Sequence, residues 1–316
     1  MTHVSARRGA FYVSVAATAW GTGGAAGSLL FETGGLGPLG VSLWRYLLGA
    51  AFLLILTRRV TRGVTDSAAH SATGGAAHSA TGGAAHGAAR ARPLTSRVLL
   101  AGAGMAVYQA AYFAAIAHSG VAVATVVTMG ATPVFTALGS RFLLRERLGG
   151  TALCSLVAAL AGLVLLTGES ALRASSVTGI AFALVSAAGY AGVTLHSRRH
   201  KDDDPQAMAI GGFVVGAVCL APFALVEGVV PEVSWTSLAL LAYLGAVPTA
   251  LAYGLFFRAL TVLRATTVSI ISLGEAVGAA LLGVAVFGER LTPLAWCGCA
   301  LLLAAVAVLA SRADAA

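Results

Sequence analysis

The chain has 316 residues, of which 58% are apolar and only 10% charged, with a mean hydropathy of +0.87. A water-facing globule carries roughly a quarter charged residues, so this composition excludes a soluble protein and makes lipid the solvent. The net charge of +8 does not signal nucleic acid, because Lys and Arg sit in short clusters between apolar stretches rather than on one soluble face.

A spanning helix needs about 20 mostly apolar residues to cross a hydrocarbon core about 30 Å thick. Ten stretches meet that need: 10–30, 36–57, 97–117, 120–140, 150–168, 177–197, 207–227, 235–257, 265–287 and 292–311. Arg7-Arg8 followed by an apolar run superficially resembles a signal peptide. It is read as the start of span one, since its removal would leave nine helices starting outside. Gly21, Gly23, Gly24 and Gly27 in span one follow no soluble strand, which argues against a nucleotide loop and for close helix packing through Gly23-x-x-x-Gly27.

Residues 58–96 interrupt the pattern. Ala-Ala-His-Ser-Ala-Thr-Gly-Gly occurs at 68–75, again at 76–83, and a third copy starts at Ala84. Small and polar residues without large apolar ones cannot bury enough surface to order themselves, so a flexible cytoplasmic linker is expected. His70, His78 and His86 recur every eight residues, but nothing preorganises them, and no metal site is expected here. Cys297-x-Cys299 likewise lacks the spacing and His partners of a zinc site, and no cofactor is implied.

Placing the N-terminus in the cytoplasm puts seventeen of the twenty Lys and Arg on the inside. Two, Arg173 and Arg290, fall outside, and Arg45 lies within a span. That asymmetry over short loops predicts a multi-pass inner or plasma membrane protein with both termini cytoplasmic.

The two halves match. Thr132-Pro133-Val134-Phe135 runs on to Glu146-Arg147-Leu148, and a shift of 143 residues lays Glu275-Ala276-Val277-Gly278 and then Glu289-Arg290-Leu291 upon it. Earlier, Trp20 pairs with Tyr190 at a shift of 170; the linker accounts for the difference. Each half holds five helices, and an odd number forces the second copy to start on the opposite side. The expected fold is therefore all-α integral membrane, ten transmembrane helices in two inverted five-helix repeats. The first repeat covers 1–57 and 97–168, interrupted by the linker, and the second covers 177–311.

These paired Glu-Arg-Leu elements, with Arg45-Tyr46-Leu47-Leu48 at span two, resemble the drug/metabolite transporter superfamily, specifically its EamA-type permeases. The resemblance covers nearly all of 10–311 apart from the linker. It implies a secondary permease of small metabolites, amino acids or drugs, exporting rather than importing. One departure stands out: family members often carry Glu-Pro in span nine, whereas Glu275 is followed by Ala276. Pro is the surest source of a kink; the first half keeps one in Pro133 and span nine lacks it.

Charge inside a span is costly, about 2.5–3.5 kcal/mol on insertion scales, so Glu275 and Arg45 are the leading candidates for substrate binding or coupling. Glu275 suits a cationic or amino group or a coupling proton, since carboxylates in apolar surroundings can exchange protons near neutral pH. The competing reading is a helix–helix ion pair with Arg45. Trp20, Tyr108, Gln109, Tyr112, Tyr190 and Tyr253 offer stacking faces and hydrogen bonds to a cavity. Thr125, Thr128 and Thr132 recur at helical spacing in span four and suit either a polar cavity face or helix–helix hydrogen bonds. Glu146 and Glu289 fit helix caps or loop ion pairs.

The alternatives are a membrane-embedded enzyme and a channel or sensor. The first lacks a Gly-x-Ser-x-Gly nucleophile and a deep His, and the second does not need inverted halves. No Walker-type loop supports ATP drive. The expected partners are the lipid bilayer and a small-molecule substrate, with a coupling proton and a homodimer as further candidates.

Overall fold

Apolar runs with few charges build helices one after another, and the computed structural model is all-α across the residues it describes: 5–72, 85–146, 148–167, 176–288 and 290–312. We number its helices α1 (Ala6–Thr33), α2 (Pro38–Ala72), α3 (Ser96–Gly120), α4 (Val123–Leu144), α5 (Gly150–Thr167), α6 (Val177–Arg199), α7 (Pro205–Glu227), α8 (Trp235–Val262), α9 (Ala265–Val286) and α10 (Pro293–Ser311). Among the described residues, nine of these, α2 to α10, contain segments long and apolar enough to cross a bilayer. Helix α1 has 28 residues, ample length at 1.5 Å per residue, but its Gly, Ser and Thr make it less apolar than the others.

Local chemistry sets the helix boundaries. Ser5, Asp204, Ser234 and Thr292 each accept a backbone N–H in the first turn that follows, satisfying donors a helix start leaves free. The start of α2 is capped from afar: Glu227, at the end of α7, accepts from Leu39 N at 2.6 Å and Gly40 N at 3.0 Å. Gly120 separates α3 from α4 with φ 76°, a backbone conformation that only glycine adopts without strain.

The region expected to be a flexible linker differs from that expectation over part of its length. Helix α2 continues through Arg58 to Ala72, and helical backbone resumes at Ala85, leading into α3. Residues 73–84, with His78 and the Gly pairs, lie outside the described residues.

The helices pair in a pattern that repeats when each is exchanged for the one five places away. Helix α1 packs on α8 and α9, and α6 packs on α3 and α4. Helix α2 meets α8 as α7 meets α3, while α2 with α7 and α5 with α10 are their own counterparts. Close approach rests on glycine: a Cβ at Gly162 would meet the Gly298 carbonyl at 2.8 Å, and one at Gly21 would meet the Glu275 carbonyl at 2.8 Å. The spacing Gly23-x-x-x-Gly27 is not the packing seam expected of it. Gly23 faces Pro248, while Gly24 and Gly27 have nothing within 4 Å of a built Cβ and stand beside a cavity.

Two ends of the bundle differ in their bonding. At the end rich in cations, Arg198 Nε meets Glu146 Oε1 at 3.1 Å, and its Nη1 donates to the carbonyls of Leu260 and Thr261. Arg97 Nη1 meets both carboxylate oxygens of Asp203 at 2.8 and 2.9 Å. Just inside, Thr266 Oγ1 donates to Ser140 Oγ. These contacts tie the ends of α4, α6 and α8 together. At the other end, Glu227 holds α2, Ser237 Oγ donates to the Thr33 carbonyl, and Trp44 Nε1 donates to the Val229 carbonyl.

Candidate functional site: a cavity between the halves

Where α1, α2, α3, α4, α6, α8 and α9 converge, they leave a cavity of about 360 Å³. Of the residues singled out from the sequence, Glu275, Arg45, Trp20, Tyr108, Gln109, Tyr112, Thr128, Thr132, Tyr190 and Tyr253 lie on its wall, and Thr125 does not. On α1, α2, α3 and α4 the lining runs from mid-helix toward the end carrying Thr33, Pro38 and Gly120. At the opposite end lie the Arg198 clamp and the fully buried side chains of Leu260, Leu263 and Thr136.

Aromatic rings form one wall. Trp20 meets Tyr253 edge-on at 5.0 Å and Phe256 at 5.4 Å, and Tyr190 meets Tyr108 at 5.2 Å and Phe256 at 5.9 Å. Edge-to-face geometry sets the positive edge of one ring on the negative face of the next, so the wall is rigid and apolar with hydroxyls at its margins. The residues matched between the halves, Trp20 and Tyr190, thus converge on one ring, Phe256.

Polar groups on the wall fall into two sets. Some are satisfied within the protein. Tyr112 Oη bonds Thr125 Oγ1 at 2.6 Å, Gln109 Nε2 donates to Ser42 Oγ at 2.9 Å, and Ser272 Oγ donates to the Val268 carbonyl at 2.9 Å. Thr128 Oγ1 donates to the Ala183 carbonyl, joining α4 to α6, and Thr132 Oγ1 turns back to the Thr128 carbonyl. Both readings of the threonine series therefore apply: Thr128 and Thr132 line the cavity, while Thr125 serves Tyr112. Others are left with capacity. Arg45 makes one long bond, Nε to Thr249 Oγ1 at 3.4 Å. Trp20 Nε1 and Ser269 Oγ are buried without a hydrogen-bond partner.

Glu275 sits just past a tightened turn in α9. Leu273, with φ −61° and ψ −17°, stays right-handed helical between Ala265–Ser272 and Gly274–Phe287. Bonds three residues back, from Leu273 N to the Ile270 carbonyl and from Ala276 N to the Leu273 carbonyl, mark the tightening. Glu275 and Arg45 are within electrostatic reach of each other, and no direct ion pair joins them among the described residues. Helix α4 stays helical through Pro133, and α9, without a proline, carries only this tightened turn.

Sequence reasoning missed Ser42, Met129, Ser269 and Ser272 on the wall; small hydroxyls in apolar spans are common, and only the third dimension separates these from the rest. Glu146 forms the expected loop-end ion pair, with Arg198 rather than with a chain neighbour. Glu289, and His78 of the spaced histidines, lie outside the described residues. Among the described residues, no group of three or more His, Cys, Asp or Glu side chains is placed to hold a metal ion.

An all-α chain with membrane-length helices around a central polar-aromatic cavity defines a multi-pass membrane transporter, and the comparisons with known proteins agree. The sequence profile of the EamA-like transporter family matches residues 7–168 and again 177–311, and the chain belongs to that family. It is 33% identical over 219 residues to the uncharacterized transporter YwfM of Bacillus subtilis, covering 68% of this chain and 73% of that one. It is 31% identical over 210 residues to an uncharacterized transporter of Archaeoglobus fulgidus, covering 65% and 74%. A crystal structure at 22% identity superposes with a TM-score of 0.73 over 95% of both chains, a likeness of fold.

Proposed function

We propose that this chain is a secondary permease that exports small organic metabolites by alternating access, with Glu275 as the substrate-binding or proton-coupling group. The observation that carries the reading is the cavity: one intramembrane carboxylate, one intramembrane guanidinium and a wall of aromatic rings share a space of about 360 Å³. Burying two ionisable groups in lipid without pairing them is expensive, and such groups mark substrate or ion pathways. The repeated pairing of helices supports two inverted repeats, 1–57 with 97–168 and 177–311, whose exchange of roles would open the cavity to either side. Helix α1 then serves as the tenth span, with Trp20, Gly23, Gly24 and Gly27 on the cavity wall.

Both termini and the region near residue 80 face the cytoplasm of the inner or plasma membrane in this reading, which rests on the distribution of Lys and Arg. The cavity then extends toward the outside, with the Arg198–Glu146 contact closing the cytoplasmic end. Reporter fusions at residues 80 and 316 should both report cytoplasm, and a periplasmic signal from either would overturn the topology. The transport test is saturable counterflow in proteoliposomes loaded with a metabolite panel. Flux that does not saturate would favour a channel, and conversion of a panel member would favour an enzyme.

A further inference from the structure

Two packed groups of helices face each other across the cavity: α6 with α3 and α4, and α1 with α8 and α9. At the cation-rich end Arg198 reaches from one group to the other. Its Nη1 donates to the carbonyls of Leu260 and Thr261, in the last turn of α8, at 3.1 and 3.2 Å. Carbonyls at a helix end lack partners within the helix and carry the negative end of its dipole, so a guanidinium suits them. Glu146, just past α4, accepts from Arg198 Nε at 3.1 Å, and its other oxygen is buried without a hydrogen-bond partner. The outer end is not built alike. At the shift of 170 Arg198 falls on Ser28, and at the shift of 143 Leu260 and Thr261 fall on Ala117 and His118, near the end of α3. The two faces also differ in exposure. Gly24 is on the cavity wall with nothing within 4 Å of a built Cβ, whereas Thr194, its counterpart on α6, is fully buried.

We infer that Arg198 is a one-sided latch: by joining α6 to the end of α8 it holds the empty protein with its cavity open to the outside. Its release is the step that opens the cytoplasmic side. This deepens the alternating-access reading and rests on it. Exchange of packing between the two inverted halves gives the inward-open form. In that form the residue matching Arg198 is a serine, which brings no charge to the end of α3, so no equal bond replaces the one given up. Glu146 is a positioning residue that aims the guanidinium at α8. The bond from Thr266 to Ser140 also crosses between the groups, but it is neutral and weaker than a charge-assisted one.

The test reads which side of the membrane the cavity faces. Two reporters, Gly24→Cys and Thr194→Cys, are placed singly in the full chain carrying Cys154→Ala, Cys219→Ala, Cys297→Ala and Cys299→Ala. Each is labelled with a membrane-impermeant maleimide in right-side-out and inside-out vesicles. With Arg198 intact, Gly24→Cys should label from outside, and Thr194→Cys should stay protected from the cytoplasmic side; the reverse pattern would overturn the latch. In Arg198→Gln, cytoplasmic labelling of Thr194→Cys should rise about tenfold or more while outside labelling of Gly24→Cys falls, since a hydrogen bond to a charged group shifts a two-state equilibrium that far. Arg198→Gln combined with Glu146→Gln should shift as much, without the stranded carboxylate that destabilises the single variant. Arg198→Lys keeps a charge beside Glu146 but not the fork, and should shift less in the same direction; it decides the matter if neither glutamine variant folds. Unchanged labelling in the folded variants, with saturable counterflow retained, would overturn the latch and leave the permease intact. Faster labelling of Thr194→Cys with no fall at Gly24→Cys would do the same, since that is local loosening rather than an exchange of sides. No saturable counterflow from any member of the metabolite panel, with Arg198 intact, would overturn the permease reading itself.

Discussion

Helices α4 and α9 occupy matching places in the two halves, yet they pass the cavity differently. Helix α4 runs unbroken through Thr132 and Pro133, and two threonine hydroxyls close onto the carbonyl four residues back, Thr132 onto Thr128 and Thr136 onto Thr132. Thr128 and Thr125 bond outward, to the Ala183 carbonyl and the Tyr112 hydroxyl. Helix α9 tightens at Leu273 and carries Glu275 two residues on. One copy thus provides a neutral face, and the other provides a charge. The neighbouring helices differ in the same sense: α1 offers Gly21 where α6, at the shift of 170, has Ala191. That missing methyl lets α1 lie against the backbone of α9 between Glu275 and Ala279. A duplicated scaffold can keep its packing while one half alone acquires the charged element.

Making the halves alike should be most damaging where charge is added. Thr132→Glu places a second carboxylate at the matching point of an unbroken helix, where the hydroxyl now bonds its own backbone. The expected loss is about 3 kcal/mol, read as a drop in folded yield and detergent melting temperature. Unchanged stability would mean that the α4 face is as hydrated as the α9 face at Glu275. Next comes Gly21→Ala, which restores the methyl of Ala191. Its Cβ would meet the Glu275 carbonyl at 2.8 Å and Ala279 N at 2.9 Å, so backbone must move, at about 1–3 kcal/mol. A neutral result would show that α1 and α9 are not closely seated. The smallest effect is expected from Pro133→Ala. Helix α4 is already helical there, so stability should change by no more than about 0.5 kcal/mol, and counterflow should persist. Lost transport in that variant would restore proline to the functional role its position in the family suggests.

Much of this was legible in the sequence because lipid imposes simple rules. Backbone must satisfy itself in helices, so apolar runs gave the spans, and charge placement gave the ends that Arg97 and Arg198 tie down. Costly groups in apolar runs pointed to Arg45 and Glu275, and matched halves pointed to Trp20 and Tyr190. The tightened turn at Leu273 was not legible, since no proline marks it. Nor were the unmatched donors of Trp20 and Ser269, because satisfaction is a property of neighbours. The continuation of α2 to Ala72 was not legible either, since the Val, Thr, Gly, Asp and Ser residues there are weak helix formers.

The central claim is that Glu275 acts on substrate or proton rather than merely pairing with Arg45. Glu275→Gln keeps the shape and removes the charge, and Arg45→Gln and the double variant complete the set, each measured for melting temperature and for counterflow in proteoliposomes. The functional account predicts that Glu275→Gln melts within a few degrees of the parent while flux or its pH dependence falls by about tenfold or more. A purely structural pair predicts instead that Glu275→Gln strands a cation at about 3–5 kcal/mol and that the double variant recovers most of it. Glu275→Gln with normal flux and an unaltered pH profile would contradict the account.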